Sequence, residues 1–239
     1  MEVRLERDGD LGRIVLDRPP RNTLDDPVFV DPGRLEAFWG QEGIRGIVLV
    51  GSGRHFCGGA DLEALRQRLP DPESLARSLD AGKALLDRIR DAPVPVVAAI
   101  SGQCLGAGLE IALACHARVA ASGAMLGFPE SDLGLMPGLG GTLELGNRIS
   151  RSRRVEWILT GRLIGAEEAL EWGLVDAVVP AGRLEEEARG LVRRWVSDRT
   201  PLQVRAILES VGNAWRRPRE EALRRETELF LELAREVAT

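Results

Sequence analysis

Polar and apolar positions alternate through Gly12-Arg-Ile-Val-Leu-Asp-Arg18 and stop at Pro19-Pro20, which predicts an early strand closed by prolines. The stretch before it, Met1-Glu-Val-Arg-Leu-Glu-Arg7, is polar and strand-like. A more apolar strand, Ile44 to Gly51, runs into the turn Gly51-Ser-Gly53. Helical spacing follows over Asp61 to Arg68 and Ser74 to Arg90, the second with Leu75, Leu79, Leu86 and Ile89 along one side. Pro93 to Ile100 is apolar without alternation, the pattern of a strand covered on both faces. After a glycine-rich turn, Ala107 to His116 is apolar at nearly every helical position, so the helix is packed all round. Glu110 is the exception, and a carboxylate on a buried helix needs a chemical reason.

Short strands recur at Ala117 to Ala121, Met125 to Phe128 and Leu174 to Val179, interleaved with helices. That alternation predicts an α/β architecture with a largely parallel sheet. From Arg183 the pattern becomes helix after helix: Arg183 to Ser197, Pro201 to Trp215 and Arg219 to Val237. Their apolar stripes hold Leu191, Val192 and Trp195, then Val204, Ile207 and Leu208, then Leu229, Phe230 and Leu233. The expected division is therefore an α/β core over residues 1–180 and a helical lid or oligomerisation region over 181–239.

Composition narrows the class. The 239 residues are 44% hydrophobic and 29% charged, which excludes a mini-protein, a coiled coil and a disordered chain. Thirty-two basic residues stand against 37 acidic ones, so nothing global draws the chain to nucleic acid or to an anionic membrane, and neither partner is expected. The N-terminus has no apolar core or small-residue cleavage site, and the longest apolar runs fall far short of the roughly 20 residues that span a bilayer. Three cysteines, Cys57, Cys104 and Cys115, cannot all pair within one chain, and the reading is reduced thiols in the cytoplasm. Lys83 is the single lysine, leaving one candidate for Schiff-base chemistry.

Three stretches carry candidate chemistry: His55-Phe-Cys-Gly-Gly-Ala-Asp-Leu62, Ser101-Gly-Gln-Cys-Leu-Gly-Ala-Gly-Leu-Glu110, and Gly127-Phe-Pro-Glu-Ser-Asp-Leu-Gly-Leu-Met-Pro-Gly-Leu-Gly-Gly-Thr142. The first two are small-residue turns leading from a strand into a helix, where the first N–H groups have no internal partner. Two such turns can aim two N–H donors at one oxygen, with the helix dipole adding positive potential. The third fixes Glu130 between Pro129 and a Pro-Gly-x-Gly-Gly turn. Each motif alone also has a plainer reading: a connecting turn, a helix-dipole carboxylate at Glu110, a salt bridge to an arginine at Glu130. His55 with Cys57 offers too few ligands for a metal, and Cys115 and His116, as neighbours, point in different directions, so no metal site or catalytic dyad is expected. No G-x-G-x-x-G, P-loop or G-x-S-x-G motif is present.

In their order and spacing these motifs resemble the crotonase (enoyl-CoA hydratase/isomerase) family, from about Arg13 to Pro180. The most specific segments are Phe56-Cys-Gly-Gly-Ala-Asp-Leu62, Leu105-Gly-Ala-Gly-Leu-Glu110 and Pro137-Gly-Leu-Gly-Gly-Thr142, with Ala166 to Pro180 as a further hallmark. The resemblance implies a ββα spiral core with a C-terminal helical region, assembled as trimers or hexamers. It implies an acyl-CoA thioester as substrate, with coenzyme A part of the substrate and no separate cofactor. By the same resemblance, the backbone N–H groups of Ala60 and Ala107 bind the thioester oxygen, and Glu110 and Glu130 are the catalytic acids, Glu130 giving a proton to the α carbon and Glu110 orienting water. Gly58, Asp61, Leu62 and Gly106 would flank the thioester, and Gly138 would help place the water.

Three departures limit the transfer. Pro27 and Pro32 should break the helix normally found after Asn22-Thr-Leu24, and Arg21 is the local candidate for a CoA phosphate contact. Leu143-Glu-Leu145 replaces the usual Gln-Arg-Leu after Thr142, and the chain ends at Thr239 without the aromatic and lysine side chains that relatives place around CoA. The leading expectation is an enoyl-CoA hydratase. The alternatives are another reaction of the family (isomerisation, hydration of a cyclic dienoyl-CoA, hydrolysis or decarboxylation) or a catalytically weak acyl-CoA-binding homologue.

Overall fold

The structure is a computed structural model that describes residues 2–237. Its first strands, β1 (Glu2–Asp8) and β2 (Leu11–Asp17), form an antiparallel hairpin. β3 (Gly46–Gly51), β4 (Val96–Ile100), β6 (Ala117–Ala121) and β9 (Ala177–Val179) then add in parallel, giving a six-stranded sheet in the order β1-β2-β3-β4-β6-β9. A smaller sheet holds β5 (Gln103–Leu105), β7 (Met125–Gly127) and β8 (Ile164–Gly165) in the order β5-β7-β8.

The chain alternates between the two sheets. β4 lies in the large one and β5 in the small one, and α4 (Ala107–Ala114) follows. β6 and β7 repeat the step, followed by a 3₁₀ turn over Pro129–Leu133, α5 (Gly141–Glu144) and α6 (Arg151–Thr160). After β3 the chain reaches the small sheet through a single bridge, Cys57 beside Cys104, and continues into α2 (Leu62–Arg68) and α3 (Pro72–Arg90). Three successive strand, strand, helix steps make the expected ββα spiral, and α7 (Ala166–Glu171) closes it before β9. β3, β4 and β6 are buried on both faces because helices cover the two sides, which is why their sequences do not alternate.

The helices after residue 180 divide in two. α8 (Leu184–Val196) lies across β3, β4 and β6, and its Leu184, Ala188 and Val192 share a core with Val48, Val97 and Val119. α9 (Pro201–Arg216) and α10 (Arg219–Val237) pack on each other. Their stripes are only partly covered: Val204 and Leu229 are buried, whereas Ile207 and Phe230, expected to be packed, are exposed, as is Trp195 on α8. Pairing along one line covers one face of each helix and leaves the next residues of the stripe in solvent.

Pro32 also departs from expectation. It begins a helix instead of breaking one: Asp31 Oδ1 accepts the Arg34 N–H at 2.8 Å, and Pro32 occupies the first turn of α1 (Pro32–Trp39), where no N–H is needed. The preceding stretch, with Pro27, is irregular. All three cysteines are buried thiols. Among the described residues no helix is long and apolar enough to cross a membrane, and no group of three or more His, Cys, Asp or Glu could hold a metal ion.

Candidate active site

At the C-terminal ends of β3 and β4 two glycine turns come into contact. Cys57 donates to Gln103 O at 3.1 Å and Leu105 donates back to Cys57 O at 3.0 Å, so the two segments run side by side. The approach tolerates no side chain: a Cβ on Gly108 would stand 2.5 Å from Cys57 O, and one on Gly59, whose φ is +91°, would stand 2.9 Å from Leu105 O. Ala60 follows Gly59, and Ala107 opens α4. Among the described residues neither alanine's N–H has an acceptor within the protein, and both alanines line the same cavity.

A side chain that sequence reasoning left without a role holds the first turn. Asn22 is fully buried at φ 53°, and its Nδ2 donates to Ser52 O, His55 O and Phe56 O at 2.9, 2.7 and 3.2 Å while Oδ1 accepts the Arg18 N–H at 3.0 Å. Two residues on, Leu24 bridges Ala60 in parallel, donating to Gly59 O and accepting from Asp61 N. Asn-x-Leu is therefore a clamp on the turn that bears Ala60. A buried asparagine has four bonding positions to satisfy, but the burial of Asn22 shows only in the structure.

Glu110 is 2% exposed, and its Oε1 accepts the N–H groups of Leu139 and Gly141, each at 2.7 Å. Burial raises its pKa, and the two N–H bonds oppose that rise by favouring the ionised form. It is thus tied to the Pro-Gly-x-Gly-Gly turn while standing in the first turn of its own helix. Gly141 must be glycine there, because a Cβ would press on Phe128 and on Glu110 Oε1.

Glu130, on the 3₁₀ turn after β7, has no ion pair among the described residues, which sets aside the salt-bridge reading. Its Oε2 is buried without a partner, and burial, aided by the charge of Glu110, pushes its pKa up to about 7. The turn is braced from behind by Phe128, which meets Trp157 edge-on at 5.5 Å, and Trp157 meets Trp172 at 5.3 Å.

Both carboxyls and both alanines line one cavity of about 220 Å³. Its remaining walls are largely aliphatic, with Leu24, Leu65, Leu75, Leu79, Met136 and Leu139 among them, while Asp25 and Arg68 are polar parts of the lining and Gly58, Asp61, Leu62, Gly106 and Gly138 also border it. Hydrophobic periodicity marked several of these leucines as helix core, but only the fold turns them towards a common space. Asp61 has a structural task as well: it caps α2, accepting from Glu63 and Ala64 N–H at 3.1 Å, and those bonds hold its pKa below the ordinary value. Arg21 stands at an adjoining opening with Thr23, Gly58 and Leu105, its Nε on Gln103 Oε1 at 3.1 Å. His55 and His116 serve the backbone, each accepting an N–H at Nδ1, from Gln103 at 3.0 Å and from Val96 at 2.9 Å.

Comparison with known proteins identifies the family and the fold. The family model described as enoyl-CoA hydratase/isomerase matches residues 6–238, well beyond the segment that carries the motifs. A Bacillus subtilis (strain 168) protein named "Probable enoyl-CoA hydratase" is 34% identical over 82% of this chain and 76% of its own. The "Fatty acid oxidation complex subunit alpha" of Idiomarina loihiensis is 40% identical over 88% of this chain, which spans only 30% of that subunit's length. Among solved structures, an enoyl-CoA hydratase from Polaromonas sp. JS666 superposes with a TM-score of 0.88 at 31% identity, covering 96% of this chain and 90% of the other. One from Bacillus anthracis gives 0.86 at 31% identity with the same coverage. The chain belongs to the enoyl-CoA hydratase/isomerase family.

Proposed function

We propose that this chain is an enoyl-CoA hydratase, adding water across the double bond of a 2-enoyl-CoA thioester in fatty acid oxidation. The observation that carries the reading is the meeting of two acceptor-free N–H groups with one buried and one half-buried carboxyl around one largely apolar cavity. Attack of water at the β carbon moves negative charge onto the thioester oxygen as an enolate. Donors fixed at Ala60 and Ala107 stabilise that charge more than the neutral ground state, each contributing on the order of 3 kcal/mol to barrier lowering.

The carboxyls divide the proton transfers. Glu110, whose ionised form the two backbone donors favour against its burial, holds the water and takes its proton as the oxygen bonds to the β carbon. Glu130, which with a pKa raised to about 7 keeps a protonated fraction near neutral pH, gives its proton to the α carbon. Return of one proton between the two restores the resting state. The aliphatic walls suit an acyl chain, and the opening by Arg21 is the route for CoA, with Arg21 available to a phosphate. Coenzyme A is part of the substrate, and no separate cofactor enters these steps.

The test is loss of the conjugated enoyl-thioester absorbance over a panel of chain lengths. Turnover by the wild type, with Glu110→Gln and Glu130→Gln each slowed about 10²- to 10⁴-fold, is expected. Full rates in both variants would overturn the assignment. We also propose a homotrimer or homohexamer working in the cytoplasm. The exposed Ile207, Val211, Trp215 and Phe230 on α9 and α10, and the three free buried thiols, support this. A monomer by light scattering at micromolar concentration would count against the oligomer.

A further inference from the structure

A second cleft, of about 490 Å³, lies between α9 and the turn that joins α3 to β4, with Arg90, Asp91, Arg205, Glu209, Asn213 and Arg217 in its lining. The turn enters β4 and the thioester cavity lies where β4 ends, so the five residues of the strand, about 16 Å at 3.3 Å each, separate the two spaces.

Two residues of the lining, Asn213 and Arg90, carry buried donors that have no acceptor. Asn213 is only 6% exposed; its Oδ1 accepts Arg217 Nε at 2.9 Å, which fixes the amide orientation and leaves Nδ2 buried without a partner. Arg90 Nε is buried and unpartnered too, although the terminal nitrogens of Arg90 meet Asp87 and Glu144. Beside them, His116 accepts the Val96 N–H at Nδ1, so its proton resides on Nε2, a third buried donor with no acceptor. Asp91 and Arg216, which line the cleft, lie close enough to act on that imidazole.

The charges of the lining are otherwise cancelled. Asp91 pairs with Arg216, Glu209 with Arg225 at 2.7 Å, and Arg205 with Glu232 at 3.8 Å. Arg217 has no carboxylate within 4 Å among the described residues, although Glu209 lies near enough to feel its charge, so its guanidinium stands next to Asn213 Nδ2 without a direct ion-pair partner. A buried donor left without an acceptor is unfavourable, and a guanidinium fork matches oxygen pairs on a carboxylate or phosphate. We propose that this cleft is a binding site for a small oxyanion, a phosphate or carboxylate group, which ties α9 to the α3–β4 turn through Asn213, Arg217 and Arg90.

The probe is inorganic phosphate, titrated calorimetrically into the full chain at ionic strength held constant with chloride. One saturable site per chain is expected, weakened at least tenfold in Arg217→Gln and in Asn213→Leu and unchanged in Arg21→Gln. Arg217 is exposed, so Arg217→Gln decides the matter if Asn213→Leu does not fold. Acetate as competitor separates the sources: displacement of phosphate extends the site to carboxylates, and failure to displace restricts it to phosphate groups. Absence of saturable binding in the wild type, binding indifferent to both cleft substitutions, or binding lost in Arg21→Gln would overturn the proposal.

Discussion

Glu130 rests against Gly106: a Cβ added to Gly106 would stand 2.7 Å from Glu130 Oε1. Gly106 also caps α4 at φ 51° and ψ −124°, and its N–H is taken by Gly127 O at 2.9 Å. The same residue thus positions a carboxyl and the helix whose first N–H belongs to Ala107. Gly106→Ala should reduce kcat at least tenfold by moving Glu130, and destabilise the fold by about 1–3 kcal/mol from backbone strain. Steady-state kinetics with urea unfolding checks both, and unchanged kcat would remove Gly106 from the positioning of Glu130.

The raised pKa of Glu130 gives hydration an alkaline limb. As a proton donor Glu130 must be protonated, so kcat/KM should fall above pH about 7, and Glu130→Gln should abolish that limb. Stability follows the same group. The unfolded chain loses this proton near 4.5 and the folded chain near about 7, so between these values the unfolded state binds fewer protons and stability declines as pH rises. The decline attributable to Glu130 is on the order of 3 kcal/mol at most. Unfolding of wild type and Glu130→Gln at pH 5 and pH 8 measures it; the variant should lose less stability over that interval.

Asn22 is the clamp whose loss should be structural. Removing its amide leaves the Ser52, His55 and Phe56 carbonyls and the Arg18 N–H without this partner. Asn22→Ala should cost about 2–4 kcal/mol by denaturant unfolding. Its kcat should fall as well, because the turn that carries the Ala60 N–H loses its anchor.

Lys83 is dispensable in this mechanism. Its Nζ meets Asp80 at 3.1 Å on the exposed side of α3, and its action on Glu110 is the weakest of those that set that carboxyl's pKa. Lys83→Met should leave kcat/KM within about twofold, since exposed ion pairs contribute little. A large loss would point to chemistry at the lone lysine.

Legibility differed from one part of the molecule to another. The run Pro93 to Ile100 announced a doubly covered strand, which occupies Val96–Ile100, and Ala107 to His116 announced a buried helix, which ends at Ala114; the lone Glu110 on it, which called for a chemical reason, is buried as expected. Pro32 was misread because the same residue that ends a helix from within is favoured at its first turn, and only the Asp31 cap distinguishes the two. The stripes on α9 and α10 announced helices but not which stripe residues are covered, since periodicity states that a face is apolar and not what lies against it.

By itself the sequence determined the alternation of strands and helices, the glycine turns and the two carboxyls, because dihedral freedom, side-chain period and charge are properties of single residues and their near neighbours. Tertiary structure decided the rest. It brought Gly59 against Leu105, so that Ala60 and Ala107, whose N–H groups have no acceptor in the protein, border one space. It gave Glu110 the Leu139 and Gly141 donors while leaving Glu130 Oε2 with none, so that two chemically identical side chains differ in proton affinity. Those relations join residues tens of positions apart, and no local pattern encodes the distance between them.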